Sequence, residues 1–406
     1  MVTNSMGAGA GAQLQAILDE IESEPVDATL VREREAFDRI AGPFNERLIL
    51  FGAGPLGRII LDGLRRAGVE PLGFADNNQR LWGTQVNGLS VLSPADALQR
   101  HGDSACFVVS IFNGSSARRQ LVGLGCTRIA PFAPLYWKYS DVFIPNNGID
   151  LPHRLRAQFP AIWKCYASLA DGASRKELRE QLLWRYWLRF DSLSPAADPR
   201  DIYFPFDLLD PSSEDVFVDC GSFDGDTVGS FSRHWEGSFR HAFALEPDPE
   251  NRVALSQTIE RTALSDRVTI MPYAAGNESG PVSFAFSGSA GSHRVDNAAA
   301  SKVECRKLDD ISWSFSPTYI KMDIEGSEPE ALRGAAQLLR THRPVLAVCT
   351  YHRSEHLWEI PNLIRSICPE YRTFVRRYAE ESWEGVCYAI PAERLKSGEG
   401  RRVTEE

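Results

Sequence analysis

Apolar residues near the start of the chain repeat at helical spacing. Four of them lie on one helix face, and the Glu24-Pro25 step then interrupts the run because proline cannot continue a helix. These four residues are Leu14, Ile17, Leu18 and Ile21. The pattern predicts one or two helices over residues 12–42. We interpret residues 1–46 as a disordered lead-in followed by helices that pack on the next domain.

Residues 47–135 alternate short apolar runs with amphipathic stretches, which is typical of a Rossmann-like domain. The pattern predicts strands over residues 47–51, 71–75 and 106–112 and helices over 58–66 and 115–123. The first strand enters a G-x-G-x-x-G turn, and the second ends at an acidic residue, a combination that favours nucleotide binding. The candidate contacts are Gly52, Gly54, Gly57 and Asp76.

Two interpretations of this glycine turn stay open. In the first, it binds a nucleotide, either NAD or a sugar nucleotide, and Asp76 accepts a hydrogen bond from a ribose hydroxyl. In the second, the glycines serve tight packing and the domain holds no cofactor. The surrounding stretches GAGPLGRII and GVEPLGFADNN resemble nucleotide-binding domains of bacterial sugar-modifying enzymes. No Tyr-x-x-x-Lys set follows, which argues against redox chemistry.

Residues 136–213 do not continue the alternation of strands and helices predicted for residues 47–135. The aromatic stretches around residues 133–150 indicate loops, and apolar stripes predict helices over 153–169 and 174–190. We interpret this region as a helical linker or cap. Tyr203 and Phe204 precede the next domain, where they are candidates for a pocket wall or for simple core packing.

Residues 214–391 contain seven apolar runs. They predict strands over residues 215–220, 241–246, 267–271, 318–323, 344–350, 371–377 and 385–390. A β-hairpin with a Gly/Ser loop is predicted between the third and fourth strands, and its His293 is a candidate substrate contact. The fold class is therefore α/β, with two doubly wound Rossmann-like domains joined by a helical linker. Residues 392–406 are expected to form a flexible tail.

Composition and charge narrow the function classes. The 406 residues carry a formal net charge of −10, which argues against a nucleic-acid partner because phosphate binding needs clustered Lys and Arg. No apolar run reaches the roughly 20 residues that a membrane span needs, and the N-terminus lacks the pattern of a signal peptide. The eight cysteines are scattered without a C-x-x-C pair. They favour buried, reduced thiols in a cytoplasmic enzyme.

The candidate chemistry begins at Asp219-x-Gly221-x-x-x-Gly225, where the strand at 215–220 ends. A glycine turn between a strand and a helix lets a ligand approach bare backbone, and the helix start offers unpaired N–H groups. Candidate cofactor contacts on this turn are Asp219, Gly221, Phe223, Gly225, Asp226 and Thr227. At the end of the next strand, Glu246 suits the ribose hydroxyls of an adenosine. Pro247 and Ala274 are expected to border adenine.

Acidic residues and a histidine follow the fourth and fifth strands of this domain. Asp323 lies at the carboxyl end of a strand, beside the crevice where such folds bind ligands. Glu328, near a helix start, has a purely structural explanation. His352 is a candidate base because imidazole takes up protons near neutral pH. A divalent cation on Asp323 and Glu325 is the alternative to a base, but we expect no metal.

The runs VFVDCGSFDGDT, ALEPDPEN, YIKMDIEGSEPEAL and the later YH resemble the FkbM-type methyltransferases, a class I family that depends on S-adenosyl-L-methionine (SAM). The resemblance covers about residues 200–391 and implies a seven-stranded class I sheet with SAM as cofactor. It also implies O-methylation of a hydroxyl on a sugar, a glycan or a polyketide-like molecule. By this resemblance the cofactor loop is Asp219, Gly221 and Gly225, the ribose acid is Glu246, and the catalytic face is Asp323, Glu325 and His352.

Two other functions stay open. One is an NAD-dependent sugar oxidoreductase that uses the turn at residues 52–57, and the other is a non-catalytic nucleotide-binding protein. The expected partners are a small-molecule or carbohydrate substrate and, if the first domain binds a ligand, a nucleotide or sugar nucleotide. The sequence does not predict the oligomeric state.

Overall fold

The computed structural model describes residues 8–285, 294–295 and 301–396. The predictions for residues 1–7, for His293 and for residues 397–406 lie outside this part of the chain. Within it, no helix is long and apolar enough to cross a membrane. All eight cysteines lie buried and unpaired, as their positions in apolar runs predicted.

Two helices open the described chain, α1 (Ala8–Ser23) and α2 (Val26–Ala41). They are separated at Pro25, which confirms the predicted break. Leu18 of α1 packs with the helices of the linker, whereas Phe37 of α2 belongs to the core of the first sheet. The two helices therefore pack on different parts of the molecule.

The first domain is a six-stranded sheet with a separate apolar core on each face. Its elements are β1 (Leu48–Phe51), α3 (Pro55–Arg66), β2 (Gly73–Ala75), β3 (Gln85–Val86), β4 (Leu89–Leu92), α4 (Pro94–His101), β5 (Cys106–Val109), α5 (Ser115–Gly123) and β6 (Ile129–Pro131). The strand order is β3-β4-β2-β1-β5-β6, and only the β3–β4 pairing is antiparallel. This is the predicted doubly wound arrangement, with the glycine turn after a central strand.

The linker corrects one prediction. Residues expected to form an aromatic loop are helical, in α6 (Phe132–Lys138) and α7 (Ser140–Phe143). Their aromatic side chains are buried in the core of the first domain, and the rings of Tyr136 and Phe143 stack with centroids 4.4 Å apart. Burial of these rings stabilises the two short helices. The linker continues through α8 (Phe159–Ser168) and α9 (Gly172–Trp187), close to the two helices predicted.

The C-terminal domain is built on a seven-stranded sheet and a smaller four-stranded one. Its strands are β7 (Val216–Cys220), β8 (His241–Leu245), β9 (Val268–Met271), β10 (Ala274–Ala275), β11 (Gly280–Ala285), β12 (Arg294–Val295), β13 (Ser301–Arg306), β14 (Tyr319–Met322), β15 (Val345–Cys349), β16 (Arg372–Arg377) and β17 (Gly385–Ile390). Its helices are α10 (Asp226–His234), α11 (Pro249–Arg261), α12 (Glu328–Arg333), α13 (Ala336–His342) and α14 (His356–Ile367).

The large sheet has the order β16-β17-β15-β14-β7-β8-β9, and β10 to β13 form the small sheet. β17 runs antiparallel to β15 and β16, and the other neighbours in the large sheet are parallel. The predicted seven strands and closing hairpin are therefore confirmed. Because β7, β8 and β14 are parallel neighbours, their carboxyl ends meet at one edge.

Candidate active site

A cleft opens at the carboxyl edge of the large sheet, where β7, β8 and β14 end. Its volume is about 360 Å³, within the range of small-molecule sites. The turn after β7, the tips of β8 and β14 and the start of α10 contribute its walls. The predicted site residues that line it are Gly221, Phe223, Asp226, Thr227, Glu246, Pro247, Ala274, Asp323 and Glu325.

Gly221 allows the ends of β7 and β14 to meet. Its φ is 82°, and a Cβ at this position would lie 2.1 Å from the carbonyl oxygen of Asp323. A side chain would therefore force the two strand ends apart. As a result, the cleft is bordered at this point by bare backbone.

Glu246 ties the tip of β8 to the glycine turn. Its Oε2 accepts a hydrogen bond from Phe223 N at 2.8 Å, and its Oε1 accepts one from Asp248 N at 2.9 Å. Burial raises the pKa of this carboxyl, and the two backbone donors partly oppose the rise. The carboxylate is thus fixed at the edge of the cleft.

Two predicted cofactor contacts, Asp219 and Gly225, do not line the cleft. Asp219 is fully buried inside β7, where its Oδ1 lies 2.9 Å from the ammonium of Lys321. Gly225 has a φ of 85° at the start of α10, and its Cα faces Leu255. The predicted turn borders the cleft, but Asp219 and Gly225 pack against Lys321 and Leu255 on its buried side.

Asp323 is held in the cleft by two tyrosine hydroxyls. Its Oδ2 accepts from the Tyr203 hydroxyl at 2.8 Å, and its Oδ1 accepts from the Tyr351 hydroxyl at 3.3 Å. Burial would raise the pKa of this carboxyl, but the charges of Lys321 and His352 outweigh it and lower the pKa. Asp323 is therefore ionised at neutral pH.

His352 lies behind Asp323, outside the lining of the cleft. Its Nε2 is 3.3 Å from Asp323 and 3.7 Å from Glu325, and its Nδ1 is 2.8 Å from Glu328. Burial would lower the pKa of the imidazole, but Glu328 and the other two carboxylates raise it to about 9. The ring is thus an imidazolium among three acids at neutral pH.

The side chains of Asp323, Glu328 and His352 place possible ligand atoms within 4.8 Å of one another. Glu328 is fully buried, and its Oε1 also accepts from Ile324 N at 2.9 Å. The protonated imidazole of His352 supplies positive charge beside these acids. We therefore interpret the cluster as an ion-pair network that fixes the tips of β14 and β15.

Residues 219–379 match the family model of the methyltransferase FkbM domain. The chain carries an FkbM methyltransferase domain. The match begins at the end of β7 and ends after β16, so it includes the whole glycine turn, the acids after β14 and His352. The resemblance inferred from the sequence motifs is confirmed for this domain.

Solved structures extend the likeness to the rest of the fold. The chain is similar to a methyltransferase FkbM from Methylobacillus flagellatus KT, with a TM-score of 0.73 and 23% identity over 94% of this chain and 99% of that one. The N-terminal half, which lies outside the sequence motifs, thus shares its fold with that protein. A putative rRNA methylase from Clostridium thermocellum matches with a TM-score of 0.31 and 12% identity over 45% and 89% of the chains, too low to carry an argument. Comparison with curated proteins gave no match.

The other residues that line the cleft include Tyr203, Lys321, Tyr351 and Glu384. Tyr203 is the pocket-wall candidate that lines the cleft, whereas Phe204 is buried in the core. Lys321 could have been found as a charge within an apolar strand run. No local pattern marked Glu384, which reaches the cleft from the turn before the last strand.

Backbone strain is concentrated around the same cleft. Four of its non-glycine residues have positive φ angles, namely Tyr203 (73°), Phe223 (47°), Glu325 (55°) and Glu384 (54°). Each such residue costs of order 1 kcal/mol and persists only where its surroundings hold it. Because such residues cluster at functional sites, the strain supports the interpretation of this cleft as a candidate active site.

The glycine turn of the first domain repeats the arrangement at Glu246. Asp76 Oδ2 accepts from Ala53 N at 2.7 Å, and its Oδ1 accepts from Asn78 N at 2.7 Å. A Cβ on Gly57 would lie 2.0 Å from the carbonyl oxygen of Gly52, so Gly57 serves close packing. Gly54 faces open space. The geometry thus accommodates either interpretation of this turn.

Proposed function

We propose that the protein transfers a methyl group from SAM to a hydroxyl group of a small molecule such as a sugar, a glycan unit or a polyketide-like compound. The observation that carries the proposal is the cleft, where the bare backbone of Gly221 and the carboxylates of Glu246 and Asp323 border one space. The FkbM domain supports the methyl-transfer part of the proposal.

The lining residues fit SAM. Glu246 Oε1 accepts from Asp248 N and, at 3.5 Å, from Asn251 Nδ2. Among the described residues, Oε2 accepts only from Phe223 N, so Oε2 can still accept from a ribose hydroxyl. Pro247 and Ala274 offer an apolar border for adenine. The ionised Asp323 gives a favourable charge for a sulfonium.

When bound, SAM supplies a methyl group on a positively charged sulfur. The protein's own work is to align the acceptor, exclude water and take up the hydroxyl proton. Asp323 and Glu325 border the place where this happens. The charged His352 holds them there and is not free to accept a proton, so we propose a positioning role for it. The buried, unpaired thiols support a reducing compartment such as the cytoplasm.

Titration calorimetry of the full chain with SAM tests the proposal. We expect wild-type protein to bind SAM and Gly221→Ala to lose binding, because the new Cβ displaces the tip of β14 from the turn. Gly237→Ala is the matched control, since Gly237 also has a positive φ of 68° but no atom within 4 Å of its added Cβ. Normal SAM binding by Gly221→Ala, or none by wild type, would contradict the proposal.

The alternative functions are separated with the same protein. An oxidoreductase predicts NADH binding that Gly54→Arg removes, and a non-catalytic protein predicts no methylated product. Transfer of radiolabelled methyl groups to methyl glucoside and to glucosamine then distinguishes oxygen from nitrogen as the acceptor atom. The proposal predicts product with the hydroxyl probe and the same rate with both sugars.

A further inference from the structure

We propose that Glu384 is the residue that accepts the proton of the acceptor hydroxyl during methyl transfer. This inference rests on the proposed function and names a catalytic residue for it. Glu384 lies outside the segment matched by the FkbM family model, which ends at residue 379.

The position of Glu384 suits this role. It lies in the turn before β17 and lines the same cleft as Asp323 and Tyr351, which follow β14 and β15. Its φ of 54° turns the chain sharply at this point. Among the described residues, its carboxylate makes no hydrogen bond or ion pair, whereas Glu246 accepts three hydrogen bonds and Asp323 accepts two. Glu384 therefore keeps its lone pairs available to a ligand.

The electrostatics agree with the geometry. Burial, and then the negative charge of Asp323, raise the pKa of the Glu384 carboxyl to about 7, and the charge of His352 partly opposes the rise. The titratable groups that face it are Asp323, His352, Tyr203, Tyr351 and Cys349. A base with a pKa near the working pH is the most effective one. Asp323, with its lowered pKa, is a weaker proton acceptor.

The proposed step transfers one methyl group and one proton. As the acceptor oxygen forms its bond to the methyl carbon, the carbon–sulfur bond breaks and its electron pair stays on sulfur, giving S-adenosylhomocysteine (SAH). The electron pair of the O–H bond remains on the acceptor oxygen, and the proton passes to the Glu384 carboxylate. Glu384 then releases this proton to solvent through the open side of the cleft.

The first domain holds Glu384 in place. The neighbouring Trp383 is buried in the core of that domain, with ring centroids 4.9 Å from Phe112 and 5.7 Å from Trp184. In the same turn, Glu381 forms a 2.8 Å ion pair with Arg118. The turn that carries the proposed base is thus fastened to the N-terminal domain, which explains how its strained backbone is held.

The test compares proton release on binding SAM and SAH, measured by calorimetry at pH 7 in buffers of different ionisation enthalpy. SAM is a cation and SAH is not, so only SAM should drive ionisation of a nearby carboxyl. We expect SAM to release about half a proton more than SAH, since a carboxyl with a pKa of about 7 is half protonated at this pH. Glu384→Gln should abolish the difference, and Glu380→Gln, in the same turn, should keep it.

Equal proton release by the two ligands in wild type, or a difference that survives in Glu384→Gln, would overturn the inference. If Glu384→Gln no longer binds SAH, then Glu384→Ala, which also lacks a carboxyl, replaces it, and a difference that survives in Glu384→Ala would count against the proposal. A wild-type chain that binds neither ligand would overturn the proposed function itself, and the inference with it. The measurement needs no knowledge of the acceptor.

Discussion

Replacing Lys321 by methionine is expected to lower the free energy of unfolding by about 3–5 kcal/mol, the usual cost of removing one partner of a buried ion pair. The Lys321 ammonium lies 2.9 Å from Asp219 and is 2% exposed, while Asp219 is fully buried. It also donates to the carbonyl oxygen of Gly221 at 2.7 Å. Burial would lower the pKa of Lys321, but Asp219 raises it, so the lysine is charged.

The reason for the large effect is the aspartate left behind. Without Lys321, Asp219 must stay charged and unpaired or take up a proton inside the sheet, and burial already raises its pKa to about 6 with the lysine present. Urea unfolding at pH 7 measures the loss. The double variant Asp219→Leu/Lys321→Met is the control, and we expect it to recover most of the stability because an apolar pair of similar volume replaces the ion pair. A loss below about 1 kcal/mol in the single variant would show that the pair contributes little.

The strands and the wall of the cleft could be predicted because their signals are local. Apolar runs gave all seven strands of the large sheet, and glycine spacing located the turn at Gly221. Each of these features depends on a few adjacent residues. In a doubly wound fold, the ends of adjacent parallel strands then come together without further information.

The remaining parts of the site depend on contacts between distant segments. Glu384 is 61 positions from Asp323 and lies in no recognisable motif. Tyr203 was a candidate for the pocket wall, but its hydrogen bond to Asp323, 120 positions away, could not be predicted. The charge state of His352 could not be predicted either, because it depends on three acids that only the fold places around the imidazole. Similarly, the helices at residues 132–143 are stabilised by burial against the first sheet rather than by their own sequence. The sequence therefore predicted the residues that border the cleft better than the contacts between them.

The contribution of His352 to the stability of the protein is expected to fall by about 3 kcal/mol as the pH rises from 6.5 to 9, and Glu328→Gln should remove most of this contribution. The pKa of His352 rises from 6.5 to about 9 on folding. A raised pKa means that the protonated form stabilises the fold fully below pH 6.5, and that this contribution disappears as the pH passes through the folded-state value. A rise of this size corresponds to about 3 kcal/mol.

Glu328 is the main source of the shift, since its fully buried carboxylate lies 2.8 Å from His352 Nδ1. Glutamine keeps the shape of the side chain but removes its charge, so Glu328→Gln should be less stable than wild type at pH 6 and should lose little more by pH 9. Urea unfolding at several pH values between 6 and 9 gives both numbers. The control is Glu325→Gln, whose carboxylate is 29% exposed and 3.7 Å from His352, and which should keep nearly the wild-type slope. Parallel slopes for wild type and Glu328→Gln would show that His352 is not held as an imidazolium by this acid.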